Sequence, residues 1–416
     1  MAESAAPTVN RVALAGAWRT WDDLLAEAPV EPLSAYGGRV AVVAADVRGA
    51  WLALAAVIAT DTDAAILSPD RLTRDLVEHL DGAGIRVWGS DGWQTAPARP
   101  ATAERGRITV VTSGTTGVPK LVPHTLDSLG TVRGISGPPR TWLCPYAAGT
   151  YAWYQCAALW LFVKGQDVVP VDPAAADGWP GIARRWGVNA ISATPTFWRR
   201  TFLTAGEDEL REVPLTQVSL GGEPVPQSLL DRLRRLYPEA RLTHIYASSE
   251  AGACIVVSDG RAGFPLSWVG STGSNGVEIR VEDGRLLVRS PWANTASRNS
   301  WIETGDAVRV AGDRVEIVGR DTGSIVNVGG AKVSTAEVAA VLLEHPKVAW
   351  CRVFPKRSPI VGELPVAEVA LAFGASADED ELLTWCRDRL PEVALPRKIT
   401  FEDEIPATSA LKSGTP

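Results

Sequence analysis

The sequence predicts an α/β protein with a large N-terminal domain of parallel sheets wrapped by helices, a small β-barrel region and a small C-terminal α+β domain. The chain of 416 residues is too long for one small hydrophobic core. Short apolar runs alternate with helical patterns up to about residue 250, which is typical of parallel sheets covered by helices. Short strands with glycine turns begin near residue 268, and a compact αβ unit follows residue 323.

The composition is that of a folded protein and excludes several classes. Hydrophobic residues make up 46% and charged residues 21% of the chain, a balance typical of globular proteins. The formal net charge of -7 argues against nucleic acid or an anionic membrane surface as a partner. The first residues lack the features of a signal peptide, and no apolar run is long enough to cross a bilayer. We therefore expect a cytoplasmic enzyme with neither a membrane nor a nucleic-acid partner.

The five cysteines and four histidines are scattered along the chain. They form no Cys-x-x-Cys pair and no spacing typical of metal ligands. A disulfide framework and a zinc site are therefore not expected. A metal ion held mainly by nucleotide phosphates would not need such a cluster.

The first half of the chain has a βαβ rhythm. Buried strands are predicted at 40–44, 64–67, 85–88, 108–111, 167–170, 189–192, 218–220 and 242–245. Helices are predicted at 50–58, 71–82, 151–163, 179–186 and 228–236. In open α/β sheets ligands bind beyond the carboxyl ends of the strands, so Gly221, Gly222 and Glu223 are candidates for the lining of a pocket.

The pattern of predicted elements changes twice in the second half of the chain. Strands at 277–281, 285–288, 307–310 and 314–318 predict the small antiparallel barrel. A polar and flexible stretch at 320–323 then precedes helices at 335–344 and 378–389 and strands at 348–354 and 367–373. We therefore predict an N-terminal domain of residues 1–319, a hinge at 320–323 and a C-terminal domain of residues 324–416.

A hydroxyl-rich loop follows the strand at 108–111. Its candidate phosphate-binding residues are Thr112, Ser113, Gly114, Thr115, Thr116, Gly117 and Lys120. Glycine lets backbone N–H groups approach an anion, hydroxyl groups add donors, and the lysine adds a positive charge. The spacing is not that of a Walker loop, and an ordinary polar turn is the alternative for a generic cluster of this kind. Lysine is scarce, with 7 of the 41 basic residues, so its place in this loop favours phosphate binding.

Five stretches in order resemble the signature motifs of the adenylate-forming superfamily. This superfamily includes acyl-CoA and aryl-CoA synthetases, the adenylation domains of nonribosomal peptide synthetases, and luciferases. The stretches are the loop 112–120, Tyr-Ala-Ser-Ser-Glu at 246–250, Thr-Gly-Asp at 304–306, Gly-Arg at 319–320 with Gly-Gly-Ala-Lys-Val at 329–333, and Ile-Pro-Ala-Thr-Ser-Ala-Leu-Lys at 405–412. One such motif would be weak, but five in order over residues 108 to 412 are a strong signal.

The resemblance implies a two-step reaction that uses ATP and Mg²⁺. A carboxylate attacks the α-phosphate of ATP to give an acyl-adenylate and pyrophosphate. The thiol of CoA, or of the phosphopantetheine of a carrier protein, then displaces AMP. The resemblance also implies that the C-terminal domain is mobile and rotates about the hinge between the two steps.

The resemblance assigns roles to particular residues. Lys412 would bridge the carboxylate and the α-phosphate, and Glu250 would bind Mg²⁺ together with phosphate oxygens. Tyr246 would stack on adenine, while Asp306, supported by Arg320, would accept the ribose hydroxyls. The loop residues Thr112, Ser113, Thr115 and Lys120 would hold the β- and γ-phosphates. Further residues expected around the nucleotide and the pantetheine are Gly114, Thr116, Gly117, Gly222, Glu223, Ser249, Gly329 and Gly330.

The walls of the acid pocket are expected at Ala148, Gly149, Tyr151, Gly221 and Ala247. Ala247 stands where glycine is common in the family, so its methyl group would shorten or narrow the pocket. Residues 144–149 offer only small side chains and one tyrosine where an aromatic or histidine gate is usual. No acidic residue lies at 146–153 to hold an α-ammonium group, which disfavours an α-amino acid.

Three functional hypotheses follow. The leading one is an AMP-forming ligase that activates a small apolar or aromatic carboxylic acid and transfers it to CoA. Within the same chemistry, a separate carrier protein or an amine would be the acceptor. The third is a catalytically inactive nucleotide-binding homologue. It would suit two departures from the family pattern, a shorter segment before the phosphate loop and the missing gate residue. Carboxylate-dependent exchange of pyrophosphate into ATP separates the third hypothesis from the first two.

Overall fold

The structure is a computed structural model that describes residues 9–95, 100–112, 119–320, 325–328, 330–358 and 362–405. The strands up to residue 257 are β1 (Val12–Leu14), β2 (Ala17–Arg19), β3 (Val40–Val43), β4 (Ala64–Leu67), β5 (Arg86–Gly89), β6 (Gly92–Trp93), β7 (Arg107–Thr112), β8 (Lys120–Thr125), β9 (Arg140–Cys144), β10 (Gln166–Pro170), β11 (Ala190–Ala193), β12 (Gln217–Gly221), β13 (Arg241–Ser248) and β14 (Gly252–Val257). The later strands are β15 (Phe264–Pro265), β16 (Glu278–Glu282), β17 (Arg285–Arg289), β18 (Ile302–Ala311), β19 (Arg314–Arg320), β20 (Ile325–Val328), β21 (Ala331–Ser334), β22 (Val348–Ser358), β23 (Gly362–Leu371) and β24 (Ile399–Phe401).

The helices lie mostly in the N-terminal part. They are α1 (Trp21–Glu27), α2 (Val30–Tyr36), α3 (Val47–Thr60), α4 (Arg74–Gly82), α5 (Leu126–Leu129), α6 (Tyr151–Phe162), α7 (Trp179–Trp186), α8 (Pro195–Thr204), α9 (Glu207–Arg211), α10 (Gln227–Leu236), α11 (Thr335–Leu343) and α12 (Glu379–Arg387). Within the described ranges, no helix combines the length and the apolar character needed to span a membrane.

An eight-stranded sheet forms the centre of the N-terminal part. Its strand order is β14-β13-β12-β11-β9-β10-β1-β2, with β14 and β2 antiparallel to their neighbours and the other pairs parallel. One face packs against α7, α8 and α10 through a core that includes Trp179, Trp198 and Leu230. The carboxyl ends of the parallel strands therefore meet at one edge of this sheet, which is where the candidate site lies.

A six-stranded sheet of order β6-β5-β3-β4-β7-β8 stands beside it. Helices α3 and α6 share a core with strands of both sheets, and the ring of Trp51 lies 5.6 Å from that of Trp153 and 5.2 Å from that of Trp160. Residues Ala50 to Val57 of α3 are all buried, because this helix is covered on nearly every side. A helix that is apolar all round is expected in such a buried place.

The region predicted as a small barrel is a five-stranded antiparallel sheet of order β15-β19-β18-β17-β16. The C-terminal unit has a second five-stranded sheet, in which β24 pairs with β23, and helices α11 and α12 pack on it. This unit contacts α8, where Phe373 N donates to Phe202 O at 2.8 Å and Trp350 packs near Leu203. The predicted α/β class is confirmed. The domain boundaries stay a prediction, and most of the hinge lies outside the described residues.

Several strands extend beyond their predicted bounds, among them β22, which continues to Ser358, and β23, which begins at Gly362, and other strands were not predicted. The strand at 242–245 continues to Ser248, and that at 307–310 covers Ile302–Ala311. Strand β8 was missed because Pro123 breaks its apolar pattern. Proline is tolerated there because β8 lies at the edge of its sheet.

Candidate active site

A cleft of about 2500 Å³ opens at the carboxyl edge of the eight-stranded sheet. Most predicted site residues that the structure describes line this one cleft. They are Thr112, Lys120, Tyr151, Gly221, Gly222, Glu223, Tyr246, Ala247, Ser249, Glu250 and Asp306. Ligand pockets usually measure about 300–1,000 Å³, so this cleft is large enough for more than one ligand.

The two ends of the predicted phosphate loop are held together. Thr112, the last residue of β7, is the register partner of Lys120, the first residue of β8. The loop therefore connects two antiparallel strands. The predicted phosphate ligands Ser113, Gly114, Thr115, Thr116 and Gly117 lie outside the described residues.

Lys120 faces the acid predicted to hold the metal ion. Its Nζ lies 3.6 Å from Oε1 of Glu250, and the two side chains are 56% and 31% exposed. Within the described part of the chain, no group of three or more His, Cys, Asp or Glu side chains is arranged to hold a metal by itself. One accessible carboxylate fits a Mg²⁺ ion that takes its other ligands from phosphate and water oxygens.

Tyr246 and Asp306 come from different sheets and meet across the cleft. The hydroxyl of Tyr246 donates to Oδ2 of Asp306 at 2.5 Å. Burial and the neighbouring carboxylate raise the pKa of Tyr246 above its ordinary value, so the phenol stays protonated. Arg320 is the backbone register partner of Asp306, while its side chain is outside the part that the structure describes.

The two glycines at the end of β12 lead into the carboxylate of Glu223, which is hydrogen-bonded to α8. Gly222 has φ +85°, a backbone conformation that favours glycine. Glu223 next to it accepts hydrogen bonds from the backbone N–H and the hydroxyl of Thr196, both at 2.9 Å. Thr196 was not predicted as a site residue, because its contact with Glu223 joins residues 27 positions apart.

The predicted walls of the acid pocket divide into two groups. Tyr151, Gly221 and Ala247 line the cleft, whereas Ala148 and Gly149 do not. Gly149 has φ +72°, and a Cβ atom there would lie 1.6 Å from the carbonyl oxygen of Ile66. Gly149 therefore packs against the backbone of β4 and does not border the cleft.

Arg71 was not among the predicted site residues, yet it links two segments of the site. Its guanidinium donates to the carbonyl of Ala148 at 3.0 Å and to the carbonyl of Val111. It thereby joins the strand that enters the phosphate loop to the segment before α6. Arg71 lies in a stretch predicted as an ordinary helix, and no local signal marks its long-range contacts.

His124 holds the backbone next to Glu250. Its Nε2 lies 2.6 Å from the carbonyl oxygen of Ser249, so Nε2 carries the hydrogen, and Nδ1 lies 2.8 Å from the hydroxyl of Ser128. Burial lowers the pKa of His124 below its ordinary value, so the ring is neutral at pH 7. Both ring nitrogens are engaged in holding structure, which leaves neither for proton transfer.

The other three predicted site residues belong to the C-terminal part of the chain. Gly329 and Lys412 lie outside the described residues. Gly330 is exposed with φ +95°, its backbone N–H donates to Oδ1 of Asn327 at 3.0 Å, and it is not part of the cleft lining.

Comparisons with known proteins identify family models along most of the chain. The model described as AMP-binding enzyme matches residues 40–292, and that described as AMP-binding enzyme C-terminal domain matches residues 337–412. A 2-succinylbenzoate CoA ligase of Geobacillus kaustophilus is 28% identical over 276 residues, which are 58% of this chain and 52% of that protein. A feruloyl-CoA synthase of an Amycolatopsis species is 31% identical over 248 residues, which are 54% of this chain and 48% of that protein. The chain thus spans about half the length of these curated relatives.

Solved structures share the fold at low identity. An anthranilate CoA ligase in complex with anthranoyl-AMP superposes with a TM-score of 0.76 at 17% identity, covering 99% of this chain and 93% of that one. An amide bond synthetase from Marinactinospora thermotolerans superposes with a TM-score of 0.70 at 21% identity, covering 97% of this chain and 95% of that one. At these identities the likeness establishes the fold alone.

Proposed function

The chain belongs to the AMP-binding enzyme family, and on that premise we propose that it activates a carboxylic acid with ATP as an acyl-adenylate and then transfers the acyl group to CoA. The resemblance to adenylate-forming enzymes predicted from the sequence is thereby confirmed at the level of the family. The reaction, the acid and the acceptor are the proposal.

The observation that carries the proposal is the convergence of four chemically suitable side chains on one cleft, namely Lys120, Tyr246, Glu250 and Asp306. Lys120 supplies a positive charge beside the ends of the phosphate loop, and Tyr246 offers an aromatic ring next to the carboxylate of Asp306. Transfer at phosphorus depends on positioning and charge neutralisation more than on covalent help from the protein. A cationic side chain at one end and an acceptor for ribose hydroxyls at the other suit a nucleoside triphosphate.

In the proposed mechanism the chain orients the reactants. Lys120, with the hydroxyl of Thr112, holds the phosphates that leave as pyrophosphate, while Asp306 accepts hydrogen bonds from the ribose and fixes the α-phosphate relative to the acid. Glu250 would hold the Mg²⁺ ion, which neutralises phosphate charge when bound. Lys412 would bring a cation to the carboxylate and the α-phosphate in the adenylation step.

The proposed acid has an apolar or aromatic body. Next to the nucleotide end, the cleft is bounded by Tyr146, Tyr151 and Ala247, which offer aromatic and methyl surfaces. Two relatives are named for feruloyl and 2-succinylbenzoyl groups, which contain aromatic rings. These observations support a substrate in which the reacting carboxylate is attached to an aromatic group.

The test is acid-dependent exchange of pyrophosphate into ATP across a panel of carboxylic acids, followed by thioester analysis with and without CoA. We expect exchange with aromatic acids and a CoA thioester when CoA is added. Exchange without a thioester would instead favour an amine or a carrier protein as the acceptor. Absence of exchange across the panel, with ATP still bound, would favour an inactive nucleotide-binding protein.

A variant links the exchange to the site. Glu250→Gln removes the carboxylate proposed to hold Mg²⁺, and we expect it to reduce exchange and to raise the Mg²⁺ concentration needed for half the maximal rate. Glu239→Gln is the matched control, since Glu239 is exposed between α10 and β13, away from the cleft lining. An unchanged Mg²⁺ dependence in Glu250→Gln would reject the assigned role.

A further inference from the structure

Two arginines lie at the end of the cleft that is remote from the nucleotide residues. Arg241 begins β13, and its register partner on β12 is Gln217, which pairs in turn with Ala190 and, through it, with Trp142. Register partners on neighbouring strands share a face, and Arg140, two residues before Trp142, shares that face as well. Both guanidinium groups therefore project from the same side of the sheet into the cleft, and both residues line it.

Neither arginine has an acidic partner among the described residues. The half-buried Arg140 makes no side-chain hydrogen bond with them, and its Nε is buried without an acceptor. Arg241, which is exposed, donates only to the hydroxyl of Ser258, at 3.2 Å. The nearby carboxylate of Asp167 is engaged by Arg11 at 2.6 Å. Two cations on one wall of a cleft without a counter-charge repel each other, and a bound anion would remove that repulsion.

The titration of Arg140 agrees with this geometry. Burial, and after it the positive charge of Arg241, lower the pKa of Arg140 below its ordinary value. The guanidinium still remains protonated at neutral pH because arginine ionises only at very high pH.

Part of the floor of the cleft, between the residues proposed to bind the nucleotide and the two arginines, is polar. Gln217 Nε2 donates to the hydroxyls of Ser219 at 3.2 Å and Thr243 at 3.1 Å. The six residue steps along β13 from Ala247 to Arg241 correspond to about 20 Å. A small acid with its carboxylate near Ala247 would therefore be too short to contact this polar part of the floor or the two arginines.

Building on the function proposed above, we propose that the acid is elongated and carries a second anionic group that binds between Arg140 and Arg241. Guanidinium groups bind carboxylate and phosphate oxygens with strong, charge-assisted hydrogen bonds, and the hydroxyl-lined floor suits a polar connecting chain. The substrate class is then a dianionic acid, activated at the carboxylate near the nucleotide and recognised at the other end by its charge. This replaces the small acid expected from the sequence with a longer one.

The test compares acids that differ only at the far end. A graded series of α,ω-dicarboxylic acids, their monomethyl esters and the matching ω-phosphono acids is assayed for pyrophosphate release. With the wild type, we expect kcat/KM for a long dianionic acid to exceed that of its monomethyl ester by about 10- to 100-fold, mostly through KM, because hydrogen bonds to charged groups are strong. The phosphono acids show whether the pair prefers a carboxylate or a phosphorus anion.

The double variant Arg140→Gln with Arg241→Gln should lower kcat/KM for the dianionic acid to that for the monomethyl ester. The kcat/KM for the ester should stay unchanged. Arg235→Gln, an exposed arginine on α10, is the control for the loss of a surface charge and should retain the preference. A wild type that uses diacid and ester equally, or a double variant that keeps the preference, would overturn the proposal.

Calorimetric binding of the dicarboxylic acids without ATP separates this inference from the proposed reaction. If no acid releases pyrophosphate but the wild type binds a long dicarboxylic acid and the double variant does not, the reaction is wrong and the anion site is supported. If neither turnover nor binding depends on the two arginines, the anion site is rejected whatever the reaction proves to be.

Discussion

Asp306 connects the antiparallel sheet of residues 264–320 to the nucleotide end of the cleft. Its carboxylate accepts from the Tyr246 hydroxyl at 2.5 Å, and its backbone N–H donates to the hydroxyl of Thr304 at 3.1 Å. One carboxylate therefore orients the ring proposed to stack on adenine and offers acceptor capacity to the ribose. We therefore expect ATP binding to depend on the negative charge of Asp306 more than on the size of its side chain.

We predict that Asp306→Asn weakens ATP binding by about 10-fold or more, because it replaces charge-assisted hydrogen bonds by neutral ones. Calorimetric titration with ATP measures the affinity. Asp313→Asn makes the same change at an exposed position paired with Arg261 and should leave the affinity unchanged. Equal ATP affinity in Asp306→Asn and wild type would reject the ribose role of Asp306.

His124 gives the fold a defined response to acid. The pKa of this buried ring is lowered in the folded state, whereas it has an ordinary value near 6.5 in the unfolded chain. Between the two pKa values the unfolded chain binds a proton that the folded protein does not, so stability is complete above about pH 6.5 and falls as the pH drops below it. One such group changes the free energy of unfolding by at most about 1.4 kcal/mol per pH unit.

We predict that His124→Gln flattens the decline in stability below about pH 6.5, while lowering stability at pH 7 through the lost contact with Ser128. The glutamine amide can still donate to the carbonyl of Ser249. Denaturant unfolding at a series of pH values measures both effects. The decline should not vanish, because burial also lowers the pKa values of His244 and His345. Parallel profiles for variant and wild type would contradict the assignment.

At the scale of elements, the approach of the segment before α6 to β4 has no room for a side chain. A Cβ on Gly149 would lie 1.6 Å from the carbonyl oxygen of Ile66, and its φ of +72° is itself strained for other residues. Relief would require the backbone of two elements to separate. The same segment carries the Ala148 carbonyl that Arg71 binds, so the displacement would reach the phosphate hairpin.

We predict that Gly149→Ala destabilises the protein by about 3 kcal/mol or more. Gly181→Ala in α7 is the matched control, because no atom lies within 4 Å of its added Cβ and alanine favours a helix by about 0.5–1 kcal/mol. Chemical denaturation compares the two variants. If Gly149→Ala unfolds at the wild-type midpoint, the tight contact is not as described.

The elements that the sequence predicts best are those with either an unbroken apolar run or a clear amphipathic face. Strand β4 and helix α7 have the predicted bounds, because an apolar run or an amphipathic face determines them locally. Strand β8 was not predicted, because its burial alternates and Pro123 interrupts it. For the site, motif residues were predicted together, whereas Arg71, Thr196 and the polar floor were not. Their roles depend on contacts between distant residues, which no local pattern encodes.

At the scale of the whole molecule, the C-terminal unit takes part in the cleft. Thr335 and Glu337 of α11 and Arg352 of β22 line it together with residues of the N-terminal part. The same unit contacts α8 through Trp350, which is 3% exposed. Because both units border one cleft, a change in their relative orientation would change what reaches the nucleotide.

A variant of Lys412, which lies outside the described residues, tests whether the relative orientation of the two units changes during the reaction. We predict that Lys412→Ala slows adenylation by about 100- to 1,000-fold, since it removes a cation from the developing charge at phosphorus. Transfer of the acyl group from a supplied acyl-adenylate to CoA should stay near the wild-type rate, because the rotation that the family resemblance implies would withdraw this lysine before the second step. Lys398→Ala, an exposed lysine of the same unit, should leave both steps unchanged. Rapid-quench assays of each half-reaction make the comparison, and an equal loss in both steps would mean that one arrangement of the two units serves the entire reaction.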